Sequence, residues 1–259
     1  MKNFFAFVLF TSICLGVLGC NQAPSIQDTK TPSFSDFADS TTAPTQDRTY
    51  ESVTGDGCFA YEVSDGAVKI TSVLTEACSV SIPNEIDGYP VTVLGNSAFY
   101  QKDQCNSVIL PDTLQSIESG AFYRCYAITE IWIPSTVIHI AADAFFRVEN
   151  LQNIYVAEGS EYYCDIDGVL FNAERTELVT FPEGKSLEEY AIPDGVTSIG
   201  GCSFGYIPSV KRLIIPTSVT EFPDIPFAAI LDSVTIVSYK DSAAEEYAML
   251  WDIMFEECG

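Results

Sequence analysis

The chain has 259 residues, with 36 Asp and Glu against 12 Lys and Arg, so its formal net charge is −24. Nucleic-acid affinity depends on Lys and Arg side chains that neutralise phosphates, so this composition predicts no nucleic-acid partner and repulsion from anionic lipid head groups. We interpret the acidity as a means of keeping the protein soluble, the alternative being a dedicated role in attracting cations.

Residues 1–19 have the pattern of an export signal. Lys2 is followed by an apolar run that is too short to cross a membrane, since a spanning helix needs about 20 apolar residues. The ending VLGC resembles the bacterial lipobox, although Leu18 stands where that motif prefers a small residue. We predict a lipoprotein signal peptide over 1–19 and lipid attachment at Cys20. The alternative is an ordinary cleaved signal peptide followed by a chance cysteine.

Residues 20–52 are rich in Thr, Ser, Pro, Gln and Asp. With so little apolar surface to offset the entropy lost on ordering, this segment is predicted to be a disordered tether behind the acylated cysteine. The folded domain is predicted to occupy residues 53–259.

A phrase of apolar residues, proline, a turn and phenylalanine recurs along this domain, for example LPDTLQSIESGAF, IPSTVIHIAADAF and IPDGVTSIGGCSF. A fixed period of this length indicates a stacked solenoid, because one such unit cannot bury its apolar face alone. Its uninterrupted course favours one domain over two. We expect the phenylalanines that close the phrases to form a buried column; at spacings of 23 residues these are Phe99, Phe122 and Phe145, and then Phe204 and Phe227.

These phrases resemble the BspA-like, or Treponema-type, leucine-rich repeats of bacterial surface proteins. The unit of that family runs L-x-x-I-x-I-P-x-x-V-T-x-I-G-x-x-A-F-x-x-C, which IWIPSTVIHIAADAF follows closely. The resemblance covers about residues 56–248. It implies an inserted hairpin at about 157–182 and a terminal cap at about 234–259.

The repeat predicts an α/β solenoid. Its I-x-I-P segments form a parallel sheet of short strands, V-T-x-I-G segments form a second strand row, and A-F begins a short helical turn. We expect a hairpin cap at about 56–80 and a C-terminal helix over DSAAEEYAMLWDIMFEECG that covers the last open edge.

The mature chain is unusually rich in cysteine. The pairing of these cysteines cannot be read from the sequence. Export permits disulfides, and Cys58 and Cys78 flank the first hairpin, FAYEVSDGAVKI, so they are the candidate bridge. Most of the others are interpreted as packing residues, including Cys105 and Cys125.

Alternation along each I-x-I-P strand places its flanking residues inward and the residue between them outward. The predicted outward column consists of Ser81, Ile109, Trp132, Tyr155, Thr180, Ala191, Ile214 and Thr235. The outward positions two residues earlier give a polar rim of Glu130, Asn153, Arg212 and Ser233.

Large apolar side chains in this column bury nothing within their own sheet, which favours a partner-binding face at Ile109, Trp132, Tyr155 and Ile214. Trp and Tyr also dominate binding energy at many protein interfaces. The alternative is that Trp132 and Tyr155 stack across strands and only stabilise the sheet.

Nothing in the sequence indicates catalysis, a metal site or a cofactor. The single histidine, His139, shares a repeat position with Ser116 and Ser198, which predicts an exposed slot without a catalytic role. Asp165–Gly168 has part of a calcium-loop pattern, but its remaining ligands are absent, so we interpret it as the turn of the inserted hairpin.

Members of the BspA-like family are implicated in adhesion to host matrix proteins and to other bacteria. The resemblance therefore implies a protein of the bacterial cell envelope, anchored by its lipid, that binds a protein or glycan on a host matrix or neighbouring cell. Two alternatives stay open, a structural spacer without a specific ligand and a glycan-active enzyme that uses some of the many carboxylates.

Overall fold

The computed structural model describes residues 52–205, 207–223 and 234–258, which form a β-solenoid of about eight turns. The predicted signal peptide, Cys20, the tether up to residue 51 and the repeat residues Phe227 and Ser233 lie outside the described residues. Ser52, which was predicted to end the tether, is the first residue of a strand.

Three antiparallel strands, β1 (Ser52–Val53), β2 (Phe59–Ser64) and β3 (Ala67–Val73), begin the described part. Both residues of the tight turn between β2 and β3, Asp65 and Gly66, have positive φ angles of 52° and 76°. Turns of this kind match the twist of a two-stranded ribbon. They form the N-terminal hairpin that the sequence predicts.

The other strands, in chain order, are β4 (Ser79–Ser81), β5 (Glu85–Ile86), β6 (Tyr89–Leu94), β7 (Ser107–Ile109), β8 (Ser116–Ile117), β9 (Glu130–Ile133), β10 (His139–Ile140), β11 (Asn153–Val156), β12 (Tyr163–Ile166), β13 (Val169–Asn172), β14 (Glu177–Thr180), β15 (Glu189–Ala191), β16 (Ser198–Ile199), β17 (Arg212–Ile214), β18 (Thr235–Ser238) and β19 (Met254–Glu257). The one α-helix among the described residues is α1 (Ala243–Leu250).

Most repeats contribute one strand to each of two parallel rows. The first row contains the pairs β4–β7 and β9–β11 and, after the hairpin, β15–β17–β18–β19. The second row contains β6–β8–β10 and then β14–β16. The same turn joins the rows in successive repeats, where the proline carbonyl accepts a hydrogen bond from the N–H three residues later, as from Leu114 to Pro111 and Val137 to Pro134.

Hydrogen-bonded turns follow each Ala-Phe pair in place of the predicted helical turns. The α/β class is therefore not confirmed, because helix is confined to α1 in the described part. Ser242 caps α1 by accepting a hydrogen bond from the Glu245 N–H at 3.3 Å. The chain then continues into β19, which pairs in parallel with β18. The last edge is thus a strand, where the sequence predicted a helix.

The phenylalanine column is confirmed for its described members. Phe99, Phe122 and Phe145 are buried, with ring centroids 5.1 and 5.4 Å apart along the stack. In the later repeats Phe204 is buried and stacks on Phe181 at 5.4 Å. Phe181, at the end of the insertion, was not predicted as part of the column.

Strand β13 separates two clusters of buried side chains. Leu170 belongs to the cluster that begins at Phe59, whereas Val169 and Phe171 belong to the cluster that ends at Ile253. Successive side chains of a strand point to opposite faces, so one short strand serves both cores. The predicted insertion therefore joins two halves of the core.

The insertion is a three-stranded meander, β12–β13–β14, with antiparallel pairing. Asp167 and Gly168, with φ angles of 52° and 76°, make the turn between β12 and β13, as the sequence predicted. Strand β14 then pairs in parallel with β16, so the meander ends as a member of the second row.

Candidate functional site

Three neighbouring strands of the first row bring Ile109, Trp132 and Tyr155 to one outer face. Trp132 and Tyr155 are directly opposite each other in the β9–β11 register, and Ile109 lies at the end of β7, which packs beside β9. The side chains of Ile109 and Trp132 are both 58% exposed, and Tyr155 is half-buried. Their predicted outward direction is confirmed, because Ile131 and Ile133, on either side of Trp132, are buried.

The Trp132 and Tyr155 rings also touch each other. Their centroids are 4.6 Å apart and their planes are tilted by 33°. Cross-strand aromatic pairs contribute about 0.2–1 kcal/mol to a sheet. The pair is therefore pre-ordered, and its outer surface remains open to solvent.

The polar rim is divided between a free and a constrained side chain. Glu130 is exposed and makes no ion pair with any described residue. Asn153 accepts a hydrogen bond from Lys185 Nζ at 3.2 Å, and that ammonium also donates to the Asp167 carbonyl at 2.5 Å. Asn153 thus holds the meander turn against β11, whereas Glu130 is available to a partner.

Ile214 and Arg212 lie on the other first-row sheet, after the meander. Ile214 is half-buried. The Arg212 guanidinium forms ion pairs with Glu189, at 2.9 Å from Nε, and with Glu256. The hydrogen bond from Arg212 lowers the pKa of Glu256. The structure therefore does not bring these residues into one sheet with Trp132, and it gives Arg212 a role in bracing β15, β17 and β19.

The sequence prediction assigned two residues, Thr180 and Thr235, wrongly to the outward column. Thr180 is buried, because β14 belongs to the second row and not to the first. Thr235 is opposite Arg212 in the β17–β18 register, so Val237 occupies the place beside Ile214. Ser81 and Ala191 are exposed, as predicted.

The described cysteines are all free. The predicted bridge between Cys58 and Cys78 is therefore not formed in the structure. Cys125 is buried and donates to the Phe99 carbonyl at 3.0 Å, and burial raises the pKa of its thiol to about 12. Cys105 is buried as well, so the packing role predicted for these two cysteines is confirmed.

His139 lies opposite Ser116 in the β8–β10 register and is exposed, as predicted. Nowhere in the described ranges do three or more His, Cys, Asp and Glu side chains group as ligands for a metal ion. No helix in the part of the chain that the structure describes has the length and apolar character needed to cross a membrane.

A second aromatic stack was not predicted from the sequence. Tyr100, Tyr123 and Phe146 follow the core phenylalanines and stack with centroids 5.7 and 6.0 Å apart. Their 23-residue spacing is the signal that could have revealed them. Arg124 lies over the Tyr123 ring at 5.2 Å. A cleft beside β10 was not predicted either, because the residues that line it are distant in sequence.

Repeated units that each add a strand to two parallel rows around a phenylalanine column define a leucine-rich-repeat solenoid. The model of the BspA type leucine rich repeat region matches in six copies, over residues 74–183 and 177–248, which span more than half of the chain. The chain therefore belongs to the BspA-type leucine-rich-repeat family.

The fold is similar to that of one solved structure, and two others match with lower scores. The pneumococcal vaccine antigen PcpA is 22% identical, with a TM-score of 0.55 over 61% of this chain, but the match covers only 38% of that chain. A leucine rich cell surface protein from Faecalibacterium prausnitzii is 17% identical, with a TM-score of 0.41, covering 73% of this chain and 76% of that one. The leucine rich repeat protein of T. pallidum is 16% identical, with a TM-score of 0.38 and coverage of 79% and 98%. A comparison with curated protein sequences found no match.

Proposed function

We propose that this protein is a lipid-anchored, surface-displayed leucine-rich-repeat protein that binds a protein or glycan through the outer face formed by Ile109, Trp132 and Tyr155. The observation that carries the proposal is the 58% exposure of both Ile109 and Trp132 on adjacent strands. The family membership supports a binding role without catalysis, since leucine-rich repeats serve generally as protein-binding scaffolds.

Magnitudes favour a partner over sheet stability as the reason for these side chains. A cross-strand pair contributes about 0.2–1 kcal/mol to a sheet. Complete burial of a large apolar side chain contributes about 1.5–3 kcal/mol, and more than half of the Trp132 surface is still available for it. A partner that covers this face therefore gains more than the fold does.

The test compares the purified wild-type protein with Trp132→Ala/Tyr155→Ala for binding to arrayed matrix proteins, mucins and bacterial surface extracts. Tyr239→Ala, which removes a 54% exposed tyrosine elsewhere, is the matched control. We expect saturable binding that the double variant loses and the control keeps, with unchanged circular dichroism. Binding that survives in the double variant would exclude this face.

A structural spacer is the second candidate, because the 4.6 Å contact between Trp132 and Tyr155 can serve the sheet alone. A spacer would bind none of the arrayed ligands. It would tolerate the double variant in every assay except stability.

Lipid anchoring at Cys20 has its own test. In detergent phase separation of cell extracts, Cys20→Ala should move the protein from the detergent phase to the aqueous phase, because the thiol that carries the lipid is lost. Cys14→Ala, in the same predicted signal peptide, should leave the partition unchanged. Membrane retention of Cys20→Ala would refute the proposed anchor.

A further inference from the structure

A cleft of about 210 Å³ lies beside β10, where the second strand row is interrupted by the meander. Ile138 and Ile140 line one side. Tyr162, Tyr163, Glu177 and Val179 line the other. The cleft is not part of the outer face of the first row, so it is a second place where a ligand could bind.

The cleft exists because β10 lacks a further strand partner among the described residues. Its sheet ends at β10, while β14 is paired on both sides, by β13 and β16. The Tyr163 hydroxyl fills part of the open edge by accepting a hydrogen bond from the Ile140 N–H at 2.9 Å. This contact fixes the wall of the cleft and leaves its mouth open.

Apolar surface is exposed at the mouth, where Ile138 is 49% and Tyr162 is 48% exposed. Glu177 carries the only formal charge among the lining residues. It makes no ion pair with any described residue, and its Oε1 lies close over Gly200, another lining residue. Burial raises the pKa of Tyr163, and the Glu177 charge raises it further, so the two groups are near each other.

The amide that lines the cleft is already used within the protein. Asn172 Oδ1 accepts hydrogen bonds from the N–H groups of Thr176 and Glu177, at 2.8 and 2.9 Å. Its Nδ2 donates to Thr176 Oγ1 at 2.9 Å. The side-chain groups left for a ligand are therefore the Glu177 carboxylate and the hydroxyls of Tyr162 and Tyr163. The carboxylate is the strongest of these, and beside an aromatic and apolar wall it suits a cation better than a neutral sugar.

We propose that this cleft binds a lysine or arginine side chain of a partner protein, with its aliphatic stem against Ile138 and Tyr162 and its charge at the Glu177 carboxylate. Long basic side chains cover apolar surface with their methylene groups while the charged head finds a polar partner. The net charge of −24 adds long-range attraction for basic partners. This site is independent of the proposed first-row face.

The probe is the blocked tripeptide acetyl-Gly-Lys-Gly-amide, titrated into the purified protein while methyl NMR signals of Ile138, Ile140 and Val179 are followed. Its norleucine analogue has the same stem without the charge, and methyl glucoside represents a neutral sugar. Glu177→Gln removes the carboxylate charge. Glu62→Gln changes the net charge equally at an exposed site on β2 that does not line the cleft.

We expect the lysine peptide to shift the three methyl signals and its affinity to fall about tenfold in Glu177→Gln, because a hydrogen bond to a charged group is lost. Glu62→Gln should bind as the wild type does, and methyl signals far from the cleft should show that both variants are folded. Equal binding of the norleucine peptide, equal loss in both variants, shifts with methyl glucoside alone, or no shift with the lysine peptide would each overturn the proposal.

Discussion

The first strand row uses its outer positions differently before and after the meander. Before it, Ile109 and Trp132 expose most of their surface. After it, Arg212 on β17 forms ion pairs with Glu189 and Glu256. Glu189 is on β15, the neighbour of β17 on one side, and Glu256 is on β19, beyond β18 on the other side. The fold requires neither arrangement, since the buried side of the row is apolar in both regions. Outer positions are thus free to serve a partner in one region and internal bracing in the other.

The cores of the two regions are alike and meet at β13. Each contains stacked phenylalanines, and the side chains of β13 alternate between the two clusters. We therefore expect equivalent core substitutions in the two regions to lower the free energy of unfolding equally. Substitutions at the outer positions of the first row should differ in their effects between the two regions.

The largest effect is expected from Phe122→Ala and Phe204→Ala, one in each region. Both side chains are buried, so each truncation should lower the free energy of unfolding by about 3–5 kcal/mol. Urea denaturation can be followed separately in the two regions, because the two tryptophans, Trp132 and Trp251, lie on either side of β13. If each variant shifts both fluorescence signals equally, the regions unfold as one unit. A shift confined to one tryptophan would show that β13 does not couple them.

Gly184→Ala should weaken the joint between the regions by about 1–3 kcal/mol. A Cβ at Gly184 would lie 2.7 Å from both the Cα and the carbonyl oxygen of Asn150. The Gly184 N–H also donates to the Leu151 carbonyl at 2.8 Å, so the two segments cannot separate freely. Thermal unfolding measures the loss, with Gly201→Ala as a control because no atom lies within 4 Å of its Cβ position. Equal destabilisation in both variants would contradict this account.

A double-mutant cycle on Trp132 and Tyr155 should give a coupling free energy of about 0.2–1 kcal/mol. Because the contact is between rings, the coupling should not change with salt concentration. Urea denaturation of the wild type, both single variants and the double variant measures it. A larger value would favour the structural spacer, since the pair would then be needed by the sheet.

The smallest effect is expected from Arg212→Met, and this effect should depend on salt. Salt screens exposed ion pairs, so the variant should be less stable than the wild type at low salt and nearly equal to it at high salt. Lys211→Met is the matched control, because Lys211 is exposed and its ammonium group donates only to the Pro208 carbonyl in the described part. An identical salt response in both variants would show that the brace has no role.

The same ion pairs give the later region a pH dependence with a defined sign. The pKa of Glu256 is lowered in the folded state, so its contribution to stability is present above the ordinary glutamate pKa. It is lost as the pH falls through the lowered value. Arg212→Met should remove this acid dependence, which urea midpoints measured across that range would reveal.

A spacing of 23 residues along the chain marks the contacts between neighbouring repeats. Trp132 and Tyr155 are 23 residues apart and lie opposite each other, as do Arg212 and Thr235. The alternation pattern at Val234–Ile236 pointed to a different register for Thr235 and was wrong. Alternation has a period of two and fits more than one register, whereas the repeat spacing fits only one.

Contacts between distant segments could not be read from the sequence. Thr180 resembles other strand residues, and only the pairing of β14 with β16 shows that it belongs to the second row. The cleft likewise depends on the Tyr163 hydroxyl accepting a hydrogen bond from the Ile140 N–H. Tyr163 stands one repeat after Ile140, but it lies in the antiparallel meander and contributes a side chain there in place of a second-row strand. The local pattern of apolar and polar residues does not indicate which strand the last strand of a meander will pair with.

By itself, the sequence determined the solenoid, its phenylalanine column and the outward direction of Trp132. The first two follow from the 23-residue period, and the third follows from the alternation of side chains along a strand. Only the tertiary structure decided that β13 serves two cores, that a strand forms the last edge and that Glu177 lies in an open cleft. These features arise where the repeat is interrupted or ends, and there the packing of non-equivalent segments replaces periodicity as the factor that sets each residue's surroundings.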